Sequence, residues 1–396
     1  MDQRKLKKYA ALIVETALAL QEGQILYLEA AVEAADFVCL VAEAALERGA
    51  GDVRVRWMSS RLDRLRLAAD RCTLAAIGAE QMEADWIIDH GGALLRLESP
   101  DMTAFDGIAP ERIQKRSEGE RALHGGFRTR GKAQNVIACA ATPQWASYLF
   151  PELPADEALD KLWSCVIGAA LADAGDPALE WKRLIAETNR RREIMNTKQY
   201  TQLHIVGTGT DLYVGLHEDQ FWDGGGVTNA DGIFFLPNLP SYEVFTSPMA
   251  SRTYGHVSST LPLNYQGGLI RGIRLSFRDG RVTDAHADQG EALLRQILTA
   301  DENSNRLGEV AIVPHGSAVQ KQGITFFTTV CDENAACHLA LGSGFCRQGP
   351  EEAARQDINQ ATLHVDFMIG SAETCIQGQR KDGGWEDILI NGNWAF

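Results

Sequence analysis

A histidine and an aspartate one residue apart, in Leu363-His364-Val365-Asp366-Phe367, are the most chemically informative pair in the chain. In an extended strand alternate side chains share a face, so His364 and Asp366 project together as a two-point grip on a metal ion. Leu363, Val365 and Phe367 then turn the other way into a core, which fixes the register. A His-x-Asp pair by itself is more often a hydrogen-bonded core pair than a metal site, and it gains weight only if other segments supply further ligands.

Two glutamates sit in surroundings unusual for a charge. Glu309 follows a glycine into Leu307-Gly308-Glu309-Val310-Ala311-Ile312-Val313, a strand that otherwise reads as buried. Glu243 lies between apolar neighbours in Tyr242-Glu243-Val244-Phe245, bounded by Pro240 and Pro248. Glutamate is seldom fully buried, so each is an exposed strand residue unless a cation, a metal or hydrogen bonds offset the cost of burial. A further carboxylate and imidazole, Glu333 and His338, stand five residues apart in Asp332-Glu333-Asn334-Ala335-Ala336-Cys337-His338. On a straight helix that spacing sends them to different faces, whereas a loop or helix start near Asn334 and Ala335 turns both toward one point; both geometries are open.

Glu243, Glu309, Glu333, His338, His364 and Asp366 together make four carboxylates and two imidazoles, a set that suits two divalent ions. Oxygen-rich ligation with a few histidines favours zinc, manganese or cobalt over a thiolate structural site. Two ions about 3.5 to 4 Å apart can activate a water and polarise a carbonyl while a carboxylate carries the proton to the leaving amine, so hydrolysis is the natural chemistry. Glu309 is the candidate to bridge or flank the ions and to act as general base, if burial and neighbouring charge tune its proton affinity.

These segments together resemble the metallo-aminopeptidases of the aminopeptidase T and aminopeptidase S type. The resemblance rests on Tyr-Glu-Val-Phe-Thr-Ser-Pro around Glu243, Leu-Gly-Glu-Val-Ala around Glu309, Asp-Glu-Asn-Ala-Ala-Cys-His-Leu-Ala-Leu-Gly around Glu333 and His338, and His-Val-Asp-Phe-Met-Ile-Gly-Ser around His364 and Asp366. It covers roughly residues 241–371, with the N-terminal half similar only in length and rhythm. It implies a dinuclear site using all six residues, a cytoplasmic homodimer with the site facing an internal cavity, and release of N-terminal residues from short peptides with broad, often Leu-preferring specificity.

One position departs from that family. Seven residues after the ligand histidine the peptidases carry a tyrosine, where this chain has Phe345. A phenol there can hydrogen-bond an oxyanion or hold substrate, and losing one such donor costs ~2.7 to 4 kcal/mol of transition-state stabilisation. Either a water or another donor substitutes, or peptide hydrolysis is slow; Tyr242 and Tyr254 lie in the same half of the chain. Phe345 keeps a second reading beside the aminopeptidase, a degenerate peptidase that binds peptides without turnover; a third, a mononuclear iron ring-opening dioxygenase of the dihydroxypyridine type, comes from resemblance to the same structural family, whose dioxygenases use one iron and fewer carboxylates.

The elements that must position these residues follow from pattern. At 396 residues with 45% hydrophobic content, the chain is long enough for two ordinary domains. A net charge of −15 argues against nucleic acid or an anionic membrane as partner. Six arginines between Arg54 and Arg71, interleaved with Asp63 and Asp70, read as a solvated strand end and helix face. Leu6, Tyr9, Ile13, Val14 and Ala17 recur at helical spacing with Glu15 among them, so the N-terminus reads as an amphipathic helix and not a signal peptide. No uncharged run approaches a membrane span, and the eight cysteines include no CxxC pair, so a cytoplasmic protein with buried thiols is expected.

The fold class expected is α/β in two domains. Residues 1–198 form a parallel-sheet α/β domain, with strands near Ile25-Leu28, Val53-Val55 and Asn135-Ile137, a helix from Ala34 ending before Gly49, and two bridging helices, Asp156 to Ala174 and Pro177 to about Asn196. Residues 199–396 form an antiparallel α+β domain carrying the metal site. Its hairpins turn at Asp279-Gly280 and within Gly207-Asp211, the latter lacking the third glycine and the helix of a dinucleotide loop.

Overall fold

The computed structural model describes residues 2–69, 78–129, 133–346 and 350–396. Asp70, Arg71 and Cys72 lie outside the described residues. The chain divides into two compact units, 1–182 with 226–241, and 183–225 with 242–396.

The first unit is built on a parallel sheet, as the strand-helix rhythm predicts. Its strands are β1 (Ile25–Ala31), β2 (Asp52–Met58), β3 (Ala93–Glu98) and β4 (Asn135–Cys139), in the order β4-β3-β1-β2. A two-residue strand, Asn238–Leu239, extends this sheet beyond β4. The helix Ala35–Glu47 that follows β1 is closed by Gly49, whose φ of 94° is a left-handed conformation that a side chain would strain. The N-terminal helix buries Leu6, Tyr9, Ile13, Val14 and Ala17, the stripe its spacing marks. The helix Ala155–Ala169 ends earlier than its apolar periodicity implies, because Leu171 turns left-handed at φ 54° and the Trp181 indole N–H takes up the Ala170 carbonyl.

The arginine-rich stretch is more than a solvated face. Arg54, Arg61, Arg64 and Arg66 are exposed, but Arg56 pairs with Glu29, fully buried on β1, and with Glu120. His124 completes the cluster against Glu29 at 2.7 Å. Pairing is the condition for a carboxylate in the centre of a sheet, and the partners come from residues distant in sequence. Among the described residues no helix is long and apolar enough to cross a membrane.

The second unit carries two large antiparallel sheets that share one core. The larger has eight strands and includes both expected hairpins, Gln202–Gly207 with Thr210–Gly215 and Arg274–Arg278 with Arg281–His286. The second hairpin turns at Asp279 and Gly280, both at positive φ, the turn that matches strand twist. The smaller sheet has the order His364–Met368, His338–Gly342, Leu307–Ile312, Val244–Thr246, Asp223–Gly224. Leu307, Val310, Ile312, Leu339, Leu341, Val365 and Phe367 enter the common core from one face of this sheet. The chemistry sits on the other.

Candidate metal centre

Alternation along three neighbouring strands brings most of the candidate ligands to one face. With Leu339, Leu341, Val365 and Phe367 in the core, His338, His364 and Asp366 point away from it. The Glu309 strand needs a correction to do the same, because Leu307 and Glu309 would share a face in a regular strand. The register slips between these two residues, so that Leu307 stays in the core and Glu309 turns to the site. Gly308 permits this: a Cβ there would run into the carbonyl oxygens of Gly342 and Ser343. Glu309 lies opposite Ala340, and Ala340 opposite Asp366. Two strand spacings, about 10 Å, thus separate Glu309 from Asp366, with only a methyl group between them.

Glu333 and His338 reach the site by the second of the two geometries left open. Residues Glu333–Ala335 form a single helical turn that ends at Ala336, which is extended at φ −157° and ψ 159°, and the strand begins at His338. Glu243 arrives just ahead of its short strand, and all six residues belong to the second unit.

The geometry is that of two ligand trios with one shared member. Glu243, Glu309 and His338 place ligand atoms within 4.8 Å of one another, and so do Glu309, His364 and Asp366. His338 Nε2 lies 3.1 Å from Glu243 Oε2 and 3.6 Å from Glu309 Oε1. His364 Nε2 lies 3.1 Å from Asp366 Oδ1 and 3.4 Å from Glu309 Oε2. The two oxygens of Glu309 therefore face different histidines. Glu333 belongs to neither trio; its Oε1 accepts a hydrogen bond from Asn334 Nδ2 at 3.3 Å.

Both imidazoles are oriented for ligation. His364 Nδ1 is 2.7 Å from the Ser343 carbonyl and His338 Nδ1 is 3.3 Å from that of Ala336. A carbonyl can only accept, so Nδ1 carries the proton in each ring and Nε2 turns its lone pair to the carboxylates. A lone pair facing anions requires either a second proton or a cation between them. Among the described residues the ion pairs of Glu243, Glu309 and Asp366 all go to these histidines, and none goes to a lysine or arginine. Four buried carboxylates against two imidazoles, with no fixed cation in those pairs, fit divalent metal ions.

The titration of the metal-free cluster follows from the same contacts. Burial would lower both histidines, but hydrogen bonds to Glu243 and Glu309 hold His338 well above its ordinary 6.5, and the charge and hydrogen bond of Asp366 do the same for His364. Burial would raise Glu309 and Asp366, yet the histidines keep both low. Burial and neighbouring carboxylates raise Glu243 and Glu333, Glu333 the further. The raised histidines contribute stability that is fully present below pH 6.5 and lost as pH rises through their folded values. Glu243 and Glu333 act in the same direction, while Glu309 and Asp366 contribute stability lost only as pH falls below the ordinary carboxylate range. Chelated protein should thus show a melting temperature that falls as pH is raised above neutrality. Saturating divalent metal, replacing the protons between imidazole and carboxylate, should remove that fall in the same calorimetric series.

Several supporting residues carry no signal in the sequence. Asn334, fully buried, accepts from the Tyr242 backbone N–H at 2.6 Å and donates to Val330 O and to Glu333, tying the Glu243 segment to the Glu333 turn. Asp332, buried beside it and pushed up to about 7 by that burial, accepts from the Phe326 N–H. Each reads as an ordinary loop residue until the distant backbone it binds is known. Phe345 lies at the site with its ring 4.9 Å from that of His364, whereas Tyr254 is on the eight-stranded sheet and 40% exposed. Tyr242 is buried next to Glu243, and burial raises its phenol.

Comparison with known proteins bears on this arrangement. The model of the thermophilic metalloprotease (M29) family matches residues 2–394. Aminopeptidase PepS of Streptococcus thermophilus is 35% identical over 407 residues, covering 100% of this chain and 98% of its own. Aminopeptidase 2 of Geobacillus stearothermophilus is 36% identical over 408 residues, with the same coverage of 100% and 98%. Among solved structures, wild-type AmpT from Thermus thermophilus superposes with a TM-score of 0.93 at 33% identity, covering 100% of both chains. A 2,5-dihydroxypyridine dioxygenase from Pseudomonas putida covers 100% of this chain and 98% of its own with a TM-score of 0.51 at 14% identity, a likeness of fold alone.

Proposed function

The chain belongs to the thermophilic metalloprotease (M29) family, and from that premise we propose that it removes N-terminal residues from short peptides at a centre of two divalent cations held by Glu243, Glu309, His338, His364 and Asp366, with Glu333 beside them. That it is a peptidase, a hydrolase of peptide bonds that relies on divalent metal, follows from the family and from relatives named aminopeptidases. The observation that supports two ions rather than one is the Glu309 carboxylate, which turns one oxygen to His338 and the other to His364. The reading includes zinc, cobalt or manganese as the ions, and the cytoplasmic homodimer that the resemblance implies.

When bound, two such cations supply Lewis acidity toward the scissile carbonyl and make a water between them nucleophilic near neutral pH. The protein groups do the rest. Glu309 holds the two trios at a fixed separation, and the Nδ1 protons of His338 and His364, anchored on backbone carbonyls, keep both rings aimed inward. Glu333, the carboxylate outside both trios, keeps its charge free to attract the α-ammonium group of a peptide, which favours its first residue over internal ones. A carboxylate with both oxygens engaged is a poor proton acceptor, which supports dividing the two jobs considered for Glu309. In this scheme Glu309 would hold both cations, and Glu333, outside both trios but within the same buried group, would take the proton from water and pass it to the departing amine.

The test is removal and return of metal. Chelated protein should lose turnover of leucine p-nitroanilide, and zinc, manganese or cobalt should restore it to a plateau at two equivalents per chain. Dioxygen uptake with a dihydroxypyridine, without release of p-nitroaniline, would overturn the reading; peptide binding with no turnover at any metal loading would leave a binding protein in its place.

A further inference from the structure

Exposure around the centre is one-sided. The side chains of His338, Glu309, Asp366 and Glu243 are 1%, 5%, 9% and 10% exposed, while that of His364 is 25% exposed. Solvent, and anything that arrives from it, meets the site along His364. At that edge stands Phe345, 51% exposed, with its ring 4.9 Å from the His364 ring and 6.1 Å edge-on from Phe245. The position is not a loose one. The Phe345 backbone N–H donates to Ser247 Oγ at 2.7 Å, and the N–H of Gly344 donates to the Asn359 carbonyl at 2.8 Å. Phe245 is half-buried on the same face of the sheet as the ligands, since its neighbour Val244 enters the core.

An aromatic ring left half in water gains little from folding, and beside a charged centre it offers an apolar surface that a ligand can cover. Resting on the aminopeptidase reading above, we propose that Phe345, backed by Phe245, is the specificity wall for the side chain of the substrate's first residue, and that it selects an apolar side chain. The direction follows from charge and access. The α-ammonium is drawn inward to Glu333, the carboxylate outside both trios, the carbonyl must reach the ions, and the third substituent on the same Cα is left the open flank, where the rings stand. A side chain lying there gives up water on the Phe345 face only if it is itself apolar.

The experiment compares leucine, alanine and lysine p-nitroanilides on metal-loaded wild type, Phe345→Ala and Phe345→Leu, with metal content measured on each. Phe345→Ala should lower kcat/KM for the leucine substrate by about tenfold, mostly through KM, while the alanine substrate changes less than about twofold, the scale on which an apolar pocket discriminates. Phe345→Leu should recover most of the loss, and lysine should gain relative to leucine when the ring is removed. An equal fall on leucine and alanine, or loss of metal from Phe345→Ala, would mean that the ring only steadies His364 and would overturn the proposal. No change on any substrate would overturn it as well. Wild type that turns over none of the three would instead bring down the aminopeptidase reading, and this inference with it.

Discussion

Glu309→Gln is expected to cost on the order of a thousandfold in kcat, about 4 kcal/mol of barrier, together with one of the two ions. The substitution is nearly isosteric, so the strand, the Gly308 register slip and the core behind it should be kept. What it removes is the charge and one ligating oxygen. An amide presents a single carbonyl acceptor, and its NH2 would face the lone pair of either His338 or His364, which lie 3.6 and 3.4 Å from the two carboxylate oxygens. Metal analysis and p-nitroanilide kinetics on the same preparation separate the causes. Retention of two ions with near-wild-type turnover would remove Glu309 from the centre altogether.

Glu333→Gln should behave differently. As the carboxylate outside both trios it is the group whose loss leaves the metals in place, so two ions per chain should persist while kcat falls by about 10²- to 10⁴-fold, the usual contribution of a positioned acid-base group. Loss of an ion on this substitution would make Glu333 a ligand and return the proton to another group. The two substitutions thus give opposite patterns, one in metal content and the other in turnover alone.

How far such a site can be read before folding depends on the range of the contacts that build it. His364 and Asp366 were legible because strand alternation is local: apolar Val365 and Phe367 fix which way the pair must point. Glu309 was legible as an anomaly, a carboxylate entering an apolar strand behind a glycine, although the reason for the glycine, close passage of the Gly342 and Ser343 carbonyls, is not local. Both hairpins and the parallel sheet of the first unit follow from turn chemistry and rhythm in the same way.

The rest depends on partners far along the chain. Whether Glu333 and His338 converge is decided at Ala336, where one helical turn gives way to extended backbone, and a five-residue spacing does not announce it. Asn334 takes its role from Tyr242, which lies 92 residues away. Arg56 looked like one more exposed arginine because Glu29 and Glu120 lie 27 and 64 residues from it. Nothing in Asn238-Leu239 signals that the chain returns there to join the sheet beyond β4. In each case a short polar segment has no pattern of its own, and its conformation is set by what it meets.

The central claim, two ions sharing the Glu309 carboxylate, is tested most directly by loading chelated protein with manganese and recording its electron paramagnetic resonance spectrum as equivalents are added. Two ions about 3.5 to 4 Å apart should give an exchange-coupled signal that grows to two equivalents per chain in step with activity, and Glu309→Gln should abolish the coupling. Full activity at one equivalent, with the spectrum of an isolated ion that Glu309→Gln leaves unchanged, would contradict it.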